Sequence, residues 1–206
     1  MKVFGLANSN LVKRFFDMRF FSIFIVLFFF LFNHPILSAS GKIDSVYYEF
    51  NHDDSCYSFR GSFVTRADFD CLISILYDFR HLKDIISSAN SIILIQQGEN
   101  WYDVCYTFKK LFFTNKSVYR KTLKLEEQKI VFKMISNWQN TDLLPKVLSS
   151  SGYYWIRGES TGNRIEYFQE CKMKSTFLKD IYINKAKKES TKFMLELKEY
   201  IERTCH

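Results

Sequence analysis

Two hydrophobic periods alternate along the chain beyond residue 40, and the switches between them outline the elements. Over residues 56–64, Tyr57, Phe59, Gly61 and Phe63 fall on one side and Ser58, Arg60 and Ser62 on the other, which predicts a half-buried strand. A further extended segment is predicted just before it, at about 43–50, closed by the polar turn at 51–55. At Thr65 the period lengthens. Phe69, Leu72, Ile73 and Leu76 recur at i, i+3, i+4 and i+7 behind the N-cap candidates Thr65 and Asp68, the stripe of a short amphipathic helix. Residues 78–82 interrupt it, and Leu82, Ile85 and Ile86 predict one more helical turn.

The two-residue period then returns in a series of runs at 91–97, 101–113, 117–125, 129–138, 152–159 and 164–173. Polar turns separate most of them, the connection at 139–150 is longer, and Ser160-Thr-Gly-Asn163 reads as a hairpin turn. Strands at this spacing with tight turns predict an antiparallel meander. The last segment, 176–203, contains neither Gly nor Pro, and Phe193/Met194, Leu197 and Tyr200/Ile201 follow each other at three and four residues. It predicts a helix about 40 Å long, polar through 185–192.

The first forty residues stand apart. Lys2, Lys13, Arg14 and Arg19 precede thirteen residues, Phe20 to Phe32, interrupted only by Ser22, and Ser38-Ala39-Ser40 stand at the exit. A basic start, a short apolar core and small residues at the end describe a secretory signal peptide. Thirteen helical residues reach about 20 Å, short of the roughly 30 Å of a bilayer core; an uncleaved N-terminal anchor is the alternative. The chain is thus expected to be exported, periplasmic or secreted, with its folded domain at 41–206. Setting the leader aside reduces 29 basic and 22 acidic residues to 25 and 21, interspersed charges that do not point to nucleic acid. All five Cys lie beyond the leader, none in a CxxC, and the four His are scattered. No metal and no cofactor are expected.

Four short stretches stand out: Phe63-x-x-x-Ala67-Asp68, Leu76-Tyr-Asp78-Phe-Arg-His-Leu82, Gly152-x-Tyr154-x-Ile156 and Gly162-x-Arg164-Ile165-x-Tyr167. With the order of elements they resemble the START-like, or polyketide cyclase-like, helix-grip superfamily, which includes coenzyme Q-binding members and whose members commonly carry Trp in place of Tyr154. The similarity runs from about residue 56 to 203. It implies an α+β fold: a curved antiparallel sheet of about seven strands, two short helices, and one long C-terminal helix gripped by the sheet. It also implies a cavity for an apolar molecule such as a lipid, sterol or quinone. By alternation, the concave face would carry Tyr102, Val104, Tyr106 and Phe108, then Ile130, Phe132 and Met134, then Tyr154, Ile156, Ile165 and Tyr167. Phe193, Met194 and Leu197 would face them from the helix. Tyr153, Trp155 and Phe168 have the opposite parity, a convex patch that the extra N-terminal strand would cover or a partner would contact. In this fold the first and last strands are antiparallel neighbours, which implies that Cys56 and Cys171 could pair in a disulfide; a small buried thiol is the alternative at each Cys.

Chemistry is sparse. The chain has no GxSxG, no HExxH and no Gly-rich phosphate loop, so no catalytic residue is expected. Asp103, Glu166 and Glu170 have solvent parity, His81 lies after the first helix, and Arg120 and Arg157 are candidates to hold an acidic head group. The expected function is binding of an apolar small molecule by a monomer, with transient membrane contact. A cyclase-type enzyme acting on a polyketide-like substrate in the same cavity is the second reading. The third is an interaction protein whose cavity is filled by its own Phe and Tyr rings.

Overall fold

The alternating runs reappear as one open antiparallel sheet. In a computed structural model describing residues 38–205, apart from 54, 111–112, 143–144 and 175–178, nine strands run in the order β1-β2-β3-β9-β8-β7-β6-β5-β4. They are β1 Ser38–Ile43, β2 Val46–His52, β3 Cys56–Thr65, β4 Ser91–Gln97, β5 Trp101–Lys110, β6 Phe113–Lys124, β7 Lys129–Gln139, β8 Val147–Glu159 and β9 Gly162–Met173. Register shifts at Leu94/Gln96, Val118/Tyr119 and Val147/Ser149 are bulges, the devices that bend a sheet and raise its twist. The predicted leader lies at residues outside those described, except that Ser38–Ser40, its expected exit, already belong to β1.

Three helices flank the sheet: α1 Phe69–Tyr77, α2 Leu82–Ile85 and α3 Lys179–Thr204, with a 3-10 turn at Phe79–His81 between the first two. Asp68 starts α1 by accepting from the Cys71 N–H at 2.9 Å, and Asp78 caps the next turn by accepting from the Arg80 N–H at 2.9 Å. The long helix buries Ile183, Thr191, Met194, Leu197, Tyr200 and Ile201 and packs on β2 and β3. Gly61 permits the close approach, since a Cβ there would stand 2.7 Å from the Met194 side chain.

The sheet is wider than the seven or so strands expected, because the N-terminal segment makes a hairpin. Asp44 and Ser45 both have positive φ, 46° and 70°, which closes a two-residue turn and pairs Ser38–Ile43 with 46–51. The hairpin continues the edge of β3 and does not lie over the convex patch. Val46 and Phe50 are sealed from solvent, and the rings of Tyr48 and Phe50 stack on Phe59 and Tyr57.

The expected disulfide is corrected. Cys56 stands opposite Lys172, and it is Tyr57 that stands opposite Cys171. A one-residue offset in an antiparallel pair puts the two thiols on opposite faces, and both are free. The bridge in the structure joins Cys71, in the first turn of α1, to Cys205, just past α3. It ties the start of the short helix to the end of the long one.

Candidate functional site

The strand parity read from the sequence places the predicted lining on one face. Tyr102, Val104, Tyr106, Ile130, Phe132, Tyr154, Ile156, Ile165 and Tyr167 are buried together with Met194 and Leu197 from α3. With Tyr119 and Phe193, the rings form a chain of contacts across six elements, β5 to β9 and α3. Centroid distances are 5.8 Å for Tyr106–Tyr119, 6.2 Å for Tyr119–Phe132, 5.8 Å for Phe132–Tyr154, 5.1 Å for Tyr154–Tyr167 and 5.2 Å for Tyr167–Phe193.

This face is not sealed. Phe108, Met134 and Phe193 from the predicted set, and Tyr119 and Tyr182 beside them, share it but keep surface that water can reach. Tyr119 combines both properties: burial raises its phenol to about 12, yet the side chain is only half-buried. The apolar interior also divides into two clusters. One is built on β3, β7–β9 and α3, the other on Leu82, Ile92, Tyr102, Val104 and Tyr106, with Tyr77, Ile86 and Tyr119 touching both.

Polar groups on this face fall into two kinds. Toward β8 and β9 they close on one another: the Tyr167 hydroxyl donates to Gln169 Oε1 at 3.0 Å, and Gln169 Nε2 donates to Ser150 Oγ at 3.0 Å. Toward β5 and β6 they do not. Lys121 sits in the same parity as Tyr119 and Leu123, directly opposite Tyr102 on β5 and Phe132 on β7, and is 3% exposed. Its ammonium has, among the described residues, one hydrogen-bond partner, the Leu76 carbonyl at the end of α1, at 3.4 Å, and lies 5.2 Å from the centre of the Tyr154 ring. Among the described residues no carboxylate pairs with it. Burial alone lowers its pKa from 10.5 to about 7. The neighbouring Tyr102 hydroxyl is buried without any hydrogen-bond partner, and burial pushes its pKa far up. Neither residue is among the predicted head-group binders, because a lysine in a strand is ordinarily taken as a solvent position. Its place between Tyr119 and Leu123 was the available signal.

The predicted head-group arginines point the other way. Arg120 grips Asp103 through two hydrogen bonds, at 2.8 and 3.0 Å, and lies over the Trp101 ring. Arg157 bonds Glu166 at 2.8 Å and lies over Trp155. These pairs cover the convex face, where Arg60 also sits over Phe168 and Lys129 over Trp155; Asp103 and Glu166 are thereby buried despite their outward parity. His81 Nδ1 meets the Tyr200 hydroxyl at 2.7 Å, which itself reaches Asp84 at 3.3 Å, a clamp between the hinge and α3. An open cleft of about 680 Å³ lies at the far end of α3, lined by residues such as Thr65, Ala67, Thr161 and Glu202; it contains none of the predicted lining residues.

No family model matches the sequence, and no curated protein matches it. Solved structures do. A STAR-related lipid transfer protein from Xanthomonas axonopodis superposes with a TM-score of 0.62 at 11% identity, over 80% of this chain and 98% of its own. The Zhui aromatase/cyclase from a Streptomyces species does so with a TM-score of 0.59 at 12% identity, over 72% and 94%. The lipid transfer and protein localization domain of human StarD13 gives a TM-score of 0.51 at 13% identity, over 82% and 89%. Architecture and superposition agree: the chain has the START-like, polyketide cyclase-like helix-grip fold.

Proposed function

We propose that this protein binds an apolar small molecule of the lipid, sterol or quinone kind between the concave sheet and its helices, and that it does so as an exported monomer. The observation that carries the reading is the free surface on inward-facing apolar side chains, Tyr119 and Phe193 above all. Side chains that only packed a core would lose it. Binding is then sequestration, with each buried apolar Å² contributing roughly 25 cal/mol. Lipid transfer and aromatase/cyclase proteins among the structural neighbours are consistent with such a ligand. The cyclase reading would require an acid–base pair at the site; among the described residues, those beside Lys121 are Tyr102 and Tyr154, phenols whose burial holds their protons.

Export is supported by the leader pattern and by the Cys71–Cys205 bridge, since disulfides persist in oxidising compartments. For membrane contact we propose the end of the sheet where β7 leads toward β8. Ile135, Trp138 and Leu148 are 53%, 54% and 59% exposed there.

The test is native mass spectrometry and organic extraction of the protein purified from its own compartment. A co-purifying apolar molecule is expected, and adding it back to stripped protein should raise the melting temperature. Repeated absence of any such molecule, together with no thermal shift from lipids, sterols or quinones, would leave the filled-cavity reading in its place.

A further inference from the structure

We infer that the apolar ligand ends in a carboxylate, held by the Lys121 ammonium and the Tyr102 hydroxyl at the β5–β6 end of the interior. The inference rests on the reading of that interior as a ligand site and specifies the ligand's chemistry.

Two donors on directly opposed strand positions face the same space with bonds to spare. Lys121 has three hydrogens and one carbonyl partner at 3.4 Å, and Tyr102 has a hydroxyl with no partner. A charge withdrawn from water is costly unless paired and hydrogen-bonded, and a buried hydroxyl without a partner also costs. Among the described residues none supplies the missing acceptors. The titratable groups facing Lys121 from the packed elements are, among the described residues, phenols: Tyr77 at the end of α1, in ring contact with Tyr102, and Tyr154 on β8. Asp78, the carboxylate next to Tyr77 in sequence, is held in an ion pair by Arg80.

The donor set selects the head group. A carboxylate carries one negative charge and two acceptor oxygens, which match one ammonium and one hydroxyl. A neutral carbonyl would satisfy Tyr102 and leave the ammonium uncompensated, and a phosphate dianion would exceed both the charge and the donors. The inner face of β5 is apolar from there on, the surface an apolar chain would lie against. Tyr102, Val104, Tyr106 and Phe108 follow one another on the inner face of β5, so six residues of strand, about 20 Å at about 3.4 Å per residue, separate the donors from the partly open Phe108.

The experiment compares two fluorescent probes of equal chain length, cis-parinaric acid and its methyl ester, on the stripped protein at pH 6.5. The acid is expected to bind about tenfold more tightly than the ester, the margin of one charge-assisted hydrogen bond. Lys121→Met should bring the ratio to within about twofold by lowering the affinity for the acid and leaving that for the ester unchanged, and Tyr102→Phe should lower it about threefold. At pH 8 acid binding should take up close to one proton, seen as a dependence of the calorimetric heat on buffer ionisation, while ester binding takes up none. This measurement needs no variant and decides the matter if Lys121→Met does not fold. Equal affinities for acid and ester in the wild type, an acid preference surviving in Lys121→Met, or no proton uptake would overturn the carboxylate inference while leaving apolar binding intact. Failure of both probes to bind would instead count against the apolar-ligand reading itself.

Discussion

Lys121 is a destabilised residue, and the cost has a pH signature. Burial lowers its amine from 10.5 to about 7, so the unfolded chain holds that proton more tightly than the native one. The penalty is fully present below about pH 7 and is relieved as pH rises toward the unfolded value. Replacing it by Met, of similar length and no charge, should therefore raise stability by a few kcal/mol at pH 6 in the ligand-free protein, with the gain fading toward pH 10. Urea unfolding at pH 6, 8 and 10 checks this; a loss at pH 6, or a gain independent of pH, contradicts it. Gly162 gives the opposite case. Its φ is +144°, and a Cβ would lie 2.3 Å from the Thr65 carbonyl oxygen, so Gly162→Ala should cost about 2–4 kcal/mol in the same assay. The two residues also differ in how far the sequence disclosed them. Gly162 lay in a recognisable hairpin turn. Lys121 did not stand out, because strand parity assigns faces only when the apolar side is clear, and Ser117, Tyr119, Lys121 and Leu123 mix polar and apolar on the inner side.

Among the elements, the N-terminal hairpin and the two ends joined by the disulfide departed most from expectation. The strand register explains why. Alternation in β5 or β3 identifies which residues share a face, but not which residue of the next strand stands opposite, and a slip of one decides whether two thiols meet. Cys71 and Cys205 come together through the packing of α1 against the end of α3, a contact 134 residues apart in sequence that no local pattern reports. Such a long closed loop predicts a large effect: Cys205→Ser should lower stability by about 3–5 kcal/mol, as should reduction of the wild type; Cys205→Ser should then be insensitive to reductant, whereas Cys171→Ala, which keeps the bridge, should lose as much on reduction as the wild type. Peptide mapping under non-reducing conditions should recover the Cys71–Cys205 pair, and recovery of Cys56 linked to Cys171 would refute the pairing of Tyr57 with Cys171 across β3 and β9. The hairpin was half legible, since residues 46–50 read as extended, while Ser38-Ala-Ser40 read as the end of a leader. In the fold these residues pair with 49–51, so removal of a leader after residue 40 would shorten β1 and leave its apolar partners Val46 and Phe50, which face α3 from β2, in place.

At the scale of the whole molecule, the sheet separates two jobs by face and by end. The concave side carries the Tyr102 hydroxyl, the Lys121 ammonium and the half-open aromatic rings, while the convex side carries the ion pairs Arg120–Asp103 and Arg157–Glu166 and is lined with cations over aromatic rings. Exposed apolar side chains gather where β7 leads toward β8: Ile135 and Leu148 are displaced at the bulges there, and Asn137 Nδ2 donates to the Val147 carbonyl at 3.2 Å, holding the two strand ends together. Trp138 at such a place suits the membrane interface, where an indole has one apolar body and one polar edge. None of these three side chains is on the concave face with Lys121, so the proposed loading from a membrane and the proposed holding of a ligand are separable by mutation. Trp138→Ser combined with Leu148→Ser should slow transfer of a lipid probe from phosphatidylcholine vesicles to the protein by at least about fivefold, as expected from the loss of two membrane-buried side chains, and leave the equilibrium affinity for the same probe in detergent-free solution unchanged. An equal loss in both measurements would place Trp138 in the binding interior. No change in either would remove the β7–β8 end as the point of contact with membranes.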